Sequence, residues 1–277
     1  MVAPSSTYAV TDYGMYSAWQ GALDGTYATT KPRIKRSLDW TELRALDPIR
    51  GELGKQLECV RLVGDGLRGE EAPLVITIYS PLLQAEMLAG RDLMFRNMRT
   101  HADRLRTGLN AITESTLRFV EALRRTPISG IVYITEHASY EIMSEEEYLA
   151  FAAPYDVKIL EALPSDWWLN IAQIRGQAPM LGVFSGLPIQ IFNWQAVDGR
   201  PDIGHGLATV PGAICGGLAS EQDILYGTPS TIRDAARQAI TETGNRRLVL
   251  SAGTIVSVAA PRSNLRAARE VVESVRA

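Results

Sequence analysis

Glu136 and His137 stand side by side directly after the apolar run "SGIVYIT" (129–135), where a buried strand would end. An imidazole beside a carboxylate at such a place is a candidate acid–base pair near neutral pH. The same histidine also suits a plain hydrogen-bonded role at a strand–loop junction. Cys215, in "GAICGGL" (212–218), offers a thiol for nucleophilic or ligand chemistry, against the commoner role of a small apolar filler. Other residues suit the holding of a small molecule. Tyr79 is a phenolic donor, Asn170 can orient a carboxylate or ring nitrogen, and Asn193 with Trp194 can hydrogen-bond and stack a planar ligand. Thr254 follows the run "RLVLSAG" (247–253) and belongs to the same rim. Each has a structural alternative: packing for Tyr79 and Trp194, an internal hydrogen bond for Asn170. The catalytic candidates are therefore His137, Glu136 and Cys215; the substrate-binding candidates are Tyr79, Asn170, Asn193, Trp194 and Thr254. No metal and no cofactor are expected. His101 and His205 read as surface residues.

The elements that must position these residues follow from hydrophobic pattern. Six short apolar runs, 73–80, 129–135, 167–172, 189–194, 212–218 and 247–253, are rich in Val and Ile and mostly lack alternation. That is the pattern of strands buried on both faces of a parallel sheet. Between them lie helical patterns. Leu105, Leu109, Ile112, Phe119, Val120 and Leu123 form one stripe within 100–125. Ser144 and Glu147 have the spacing of a capping box. Ser230 or Thr228 caps a helix that Gly244 ends, and Asn264 precedes a last amphipathic helix. Strands alternating with helices predict an α/β fold. No strand runs into a phosphate-binding glycine fingerprint, which favours a (β/α)₈ barrel over a doubly wound sheet. In such a barrel, chemistry sits at the C-terminal ends of the strands. Six runs are two fewer than eight, and the first 45 residues supply no two clean strands.

The chain has 277 residues, 46% hydrophobic and 21% charged, with a formal net charge of −3. This describes one globular domain over 1–277 and argues against a nucleic-acid partner, which would select a basic face. Two cysteines make no disulfide framework, and no apolar run approaches the roughly 20 residues of a membrane span. A cytoplasmic protein with a small-molecule substrate is expected.

Several stretches carry a resemblance. "GAICGGLASEQDILYGTPSTIRDAARQAI", followed by "RRLVLSAGTIVSVAAPRSNLRAAREVV", resembles the end of the uroporphyrinogen decarboxylase superfamily, which includes corrinoid-linked methyltransferases. "IYSPLLQAEMLAG" (78–90), "MSEEEYLAFAAPYD" (143–156) and "SLDWTELRALDP" (37–48) are similar to earlier parts of it, in the right order. The resemblance implies a TIM-like (β/α)₈ barrel, here without its first two strands, and a homodimer. An incomplete barrel would leave open strand edges that invite pairing.

The resemblance also implies two chemistries. The methyltransferase branch binds zinc through a His-x-Cys at the end of the third apolar run and a cysteine after the last. Matched to this chain, those positions are Asn170, Ala172 and Thr254. The decarboxylase branch needs no cofactor and uses N-terminal arginines and an aspartate that have no match here; its late histidine is again Thr254. The expectation drawn from this is a lyase of decarboxylase type with a non-standard site, acting on a planar or carboxylated, porphyrinogen-like molecule. The alternatives are a silent barrel serving as a binding module and a corrinoid-dependent methyltransferase-like enzyme.

Overall fold

The computed structural model describes residues 1–196 and 201–276. The chain gathers into two compact units, one of Met1–Gln20, Thr26–His137 and Glu146–Asn170, the other of Gly21–Gly25, Ala138–Glu145 and the chain from Ile171 onward.

The first unit opens with a helical turn, α1 (Tyr8–Thr11), and an antiparallel hairpin of β1 (Tyr16–Trp19) and β2 (Tyr27–Lys31). Helix α2 (Gly51–Gly66) leads to β3 (Val75–Tyr79). Three helices follow, α3 (Pro81–Ala89), α4 (Arg91–Thr100) and α5 (Ala102–Leu123), before β4 (Gly130–Thr135). Helices α6 (Glu145–Phe151) and α7 (Ala153–Glu161) come last. Strands β3 and β4 pair in parallel, from Val75 opposite Gly130 to Tyr79 opposite Ile134, and every residue of both is buried. Gly130 has no alternative: a Cβ there would lie 2.1 Å from the Leu169 carbonyl oxygen. Ser80 caps α3 by accepting from the Leu83 amide, and Pro81 fills the first helical position.

The open edge expected beside β3 is closed from within. Val2 bridges Ile76 in parallel; its amide donates to the Val75 carbonyl at 2.8 Å, and its carbonyl accepts from Thr77 at 3.3 Å. The Tyr8 hydroxyl then donates to the Thr77 carbonyl at 2.7 Å. Three edge groups that would attract another strand are thus met by the N-terminal segment.

The second unit contains β5 (Ile171–Ile174), β6 (Ile191–Asn193), α8 (Ile203–Thr209), β7 (Ala213–Leu218), α9 (Pro229–Glu242), β8 (Leu248–Ala252) and α10 (Arg262–Arg276). Its four strands pair in parallel and in chain order. Leu218, Ile232, Ala236, Ala252 and Val271 form its core beneath α9 and α10. Thr228 is the residue that caps α9, and Gly244 follows the helix at φ 59°. Asn264 does not precede α10 but lies in its first turn. It is buried there, and its amide donates to the carbonyls of Ile224 and Gly227 at 3.0 and 2.8 Å.

Parallel strands alternating with helices make this an α/β fold of the TIM-like barrel type, with six parallel strands among the described residues where a closed barrel has eight. Among the described residues, no helix is long and apolar enough to cross a membrane.

Candidate functional site

In the first unit, His137 follows β4 with its side chain fully buried. Its Nε2 lies 2.9 Å from a carboxylate oxygen of Glu86 on α3, while its Nδ1 is buried with no hydrogen-bond partner among the described residues. Glu86 also accepts from Arg91 at 3.0 Å, and Arg91 reaches within 3.9 Å of Glu136. Burial resists ionisation of Glu86, but the hydrogen bonds and charges of His137 and Arg91 outweigh it, and the carboxyl is held below its ordinary range. The adjacent Glu136 that the sequence suggests as partner is therefore secondary. The imidazole is paired with Glu86, 51 residues upstream.

Near this pair lies a fully buried carboxylate, Asp156. Tyr133 on β4 and Tyr148 on α6 each donate to one oxygen of Asp156 on α7, both at 2.6 Å. Burial pushes the Asp156 carboxyl up to about 6; the two phenols and the charge of His137 pull the other way and are outweighed. Tyr79 is buried against the Tyr8 ring, their centroids 6.0 Å apart, and so packs within the unit.

Asn170 belongs to the other end of its strand. Because β5 begins at Ile171, Asn170 precedes it, its side-chain oxygen accepting from the Ile131 amide at 3.3 Å and its amide donating to the Trp167 carbonyl at 3.2 Å. Ala172 is a buried mid-strand residue. The apolar run "WWLNIA" misplaces the strand, since Trp167 and Trp168 come before it and the paired strand begins at Ile171. The two alternate residues at the C-terminal end of β5 are instead Gln173 and Arg175.

In the second unit, Asn193 ties the strand ends together. Its amide donates to the carbonyls of Cys215 at 2.6 Å and Ala252 at 3.2 Å, and its oxygen accepts from Gln173 at 2.8 Å. Trp194 is fully buried, donates to the Pro201 carbonyl at 2.7 Å, and packs so closely on α8 that a Cβ at Gly206 would lie 2.3 Å from its ring. Its plane is spent on the helix. Burial raises the Cys215 thiol above its ordinary value, and a hydrogen bond with Ser251 opposes this only in part. Such a thiol carries less thiolate, which disfavours a nucleophilic role. Thr254 lies two residues past β8, beyond Gly253, whose Cα is held against the backbone of Trp194 and Gln195.

The same unit holds a cavity of about 980 Å³, lined in part by Tyr140, Glu145, Met180, Leu181, Asp202 and His205. Tyr140 donates to Glu145 at 2.6 Å, and Asp202 caps α8 by accepting from the His205 amide at 2.8 Å. His205 itself is exposed.

The donor set does not fit zinc. Gln173 and Arg175 offer an amide and a cation at the end of β5, and Thr254 offers a hydroxyl after β8, whereas zinc takes thiolate, imidazole or carboxylate. Among the described residues, no three His, Cys, Asp or Glu side chains gather as a metal would require.

Parallel strands alternating with helices, and polar side chains collected at strand ends, define the class as a TIM-like barrel with a modified rim. The sequence profile named Uroporphyrinogen decarboxylase (URO-D) matches residues 23–275, and the chain belongs to that family. It is similar to the Methylcobamide:CoM methyltransferase MtbA of Methanosarcina mazei, 26% identical over 92% of this chain and 74% of the relative. The protein of the same name from Methanosarcina acetivorans is 25% identical over 79% of this chain and 64% of the relative. A solved structure of a methyltransferase from Methanosarcina mazei superposes on all of this chain and 80% of its own, with a TM-score of 0.84 at 18% identity. That likeness concerns the fold. None of these relatives is named a decarboxylase.

Proposed function

We propose that this chain is a methyltransferase-like member of the uroporphyrinogen decarboxylase family, working on a small molecule without the zinc chemistry of that branch. The observation that carries this reading is the similarity to two proteins named Methylcobamide:CoM methyltransferase, one of them over 92% of the chain. It favours the methyltransferase alternative over the decarboxylase expectation, which was drawn from the missing zinc ligands. Gln173 and Arg175 at the end of β5 take the place of metal ligands, and a guanidinium there suits an anionic group on the small molecule. Asn193 holds Gln173 and the ends of β7 and β8 in register and is a positioning residue.

A second reading, a silent barrel that serves as a binding module, is favoured by a specific observation. His137 is fully buried, and the amide groups of Asn170 and Asn193 and the Trp194 N–H are all hydrogen-bonded within the protein.

One experiment separates the readings. The purified chain is mixed anaerobically with methylcobalamin and coenzyme M, with and without added zinc, and loss of the methylcobalamin absorbance is followed. Turnover that does not depend on zinc, and that Arg175→Ala lowers, is the expected result. Turnover only with zinc overturns the metal-free rim. No methyl transfer, together with no carbon dioxide release from uroporphyrinogen, leaves the silent module.

A further inference from the structure

Helix α4 is a separate piece of structure at the rim of the first unit. It is bounded by Gly90 at φ 80° and by His101 at φ −143°, ψ 49°, so neither end continues helically into its neighbours. Positions 91, 95 and 99 recur at i, i+4 and i+8 and share one face. Arg91 pairs with Glu86 and Glu136, the Phe95 ring lies 6.0 Å from the His137 ring, and Arg99 pairs with Glu147 of α6 at 3.2 Å. The Arg99 guanidinium also lies over Phe95, 5.9 Å from its centroid. The stripe is centred on the buried imidazole.

Beyond that stripe the helix is held by one short buried face. Its buried residues are Met94, Asn97 and Met98. Its ion pairs reach solvent, with Arg91 and Arg99 side chains about half or more exposed, and pairs of that kind are individually weak. Asn97 Nδ2 on the helix and His137 Nδ1 are buried with no partner among the described residues. Burying such atoms without a partner is unfavourable, and both would regain hydrogen bonds on meeting water. The closed state is therefore held by the burial of two methionines and by weak ion pairs, against two unsatisfied polar groups.

We propose that α4 is a hinged strap which opens about Gly90 and His101 and, in opening, gives solvent or a ligand access to His137. The imidazole is inert in the closed state and becomes an available hydrogen-bonding and proton-transfer group in the open one. Phe95 and Arg99 form the latch.

Diethyl pyrocarbonate, which acylates accessible imidazole nitrogens, tests this on the full chain, with site-resolved mass spectrometry of His137 and with His205 as internal reference. In the wild type, His137 reacts more slowly than the exposed His205, and its rate changes little with urea below the unfolding transition, as local opening requires. Arg99→Ala raises the His137 rate roughly two- to five-fold relative to His205, the range expected from losing one exposed ion pair. Hydrogen exchange of amides 94–100 accelerates in parallel, and thermal stability changes little. Phe95→Leu, which keeps an apolar side chain and removes the ring contact, acts in the same direction. The proposal is overturned if Arg99→Ala leaves the His137 rate unchanged. It is equally overturned if His137 reacts only with the steep urea dependence of global unfolding.

Discussion

Asp156 sits in an environment that opposes what its hydrogen bonds suggest. A carboxylate with two phenolic donors ordinarily ionises more easily, yet complete burial wins and the group titrates at about 6. Its value in the folded protein is thus raised above the unfolded one, 3.8. The stability it contributes is fully present below about pH 4 and is lost as pH rises through 6. The loss approaches about 3 kcal/mol, from a shift of roughly two units at 1.36 kcal/mol each. Asp156→Asn keeps an acceptor for one phenol and cannot ionise. Urea unfolding at pH 4, 5, 6 and 7 is expected to show a decline in the wild type that the variant lacks. Glu86 acts with the opposite sign: its carboxyl is held below its ordinary value of 4.5, so its contribution is full above that value and is lost as pH falls from it through the lowered one. Above pH 4.5 only the Asp156 slope acts, and equal slopes in both proteins between pH 4.5 and 6 would dismiss the account of Asp156.

Among the elements, the N-terminal segment has the clearest testable role. Val2 and Tyr8 satisfy the edge of β3 by one short parallel bridge and one side-chain hydrogen bond. Tyr8→Phe leaves the Thr77 carbonyl buried and unpaired while keeping the ring contacts with Tyr79 and Phe119. The expected cost is about 1–3 kcal/mol. For a chain of this size that lowers the melting temperature by roughly 2–10 °C. Sedimentation should also show more self-association, because a bared strand edge is a template for pairing. A variant with wild-type melting and sedimentation would show that the hydroxyl does not guard the edge. The hairpin β1–β2 was not legible in the sequence: its burial is low on both strands, so no alternation of core and surface residues marks it.

At the scale of the whole molecule, the fold is that of the uroporphyrinogen decarboxylase family while the donor set at the strand ends departs from zinc binding. Protein purified without chelator is expected to hold much less than one zinc per chain by elemental analysis, and EDTA should leave its melting temperature unchanged. One tightly held zinc per chain, whose removal lowers that temperature, would overturn this view. The pairing of fold and function in this family is loose because a barrel tolerates exchange of rim residues while its core stays intact.

The sequence alone marked six strand runs, the helices between them and the resemblance to the family, because runs such as 73–80 and 129–135 are rich in Val and Ile and helix ends such as Thr228 and Gly244 are local signals. It also marked His137 as a residue of interest. Tertiary structure decided everything that depends on long-range pairing: that His137 faces Glu86 rather than Glu136, that Asn193 binds three other strands, and that Asn170 precedes β5 instead of ending it. The physical reason is separation along the chain. Hydrophobic periodicity and capping act over a few residues and can be read locally, whereas a partner 51 residues away, or the true end of a strand, is fixed only when the elements pack.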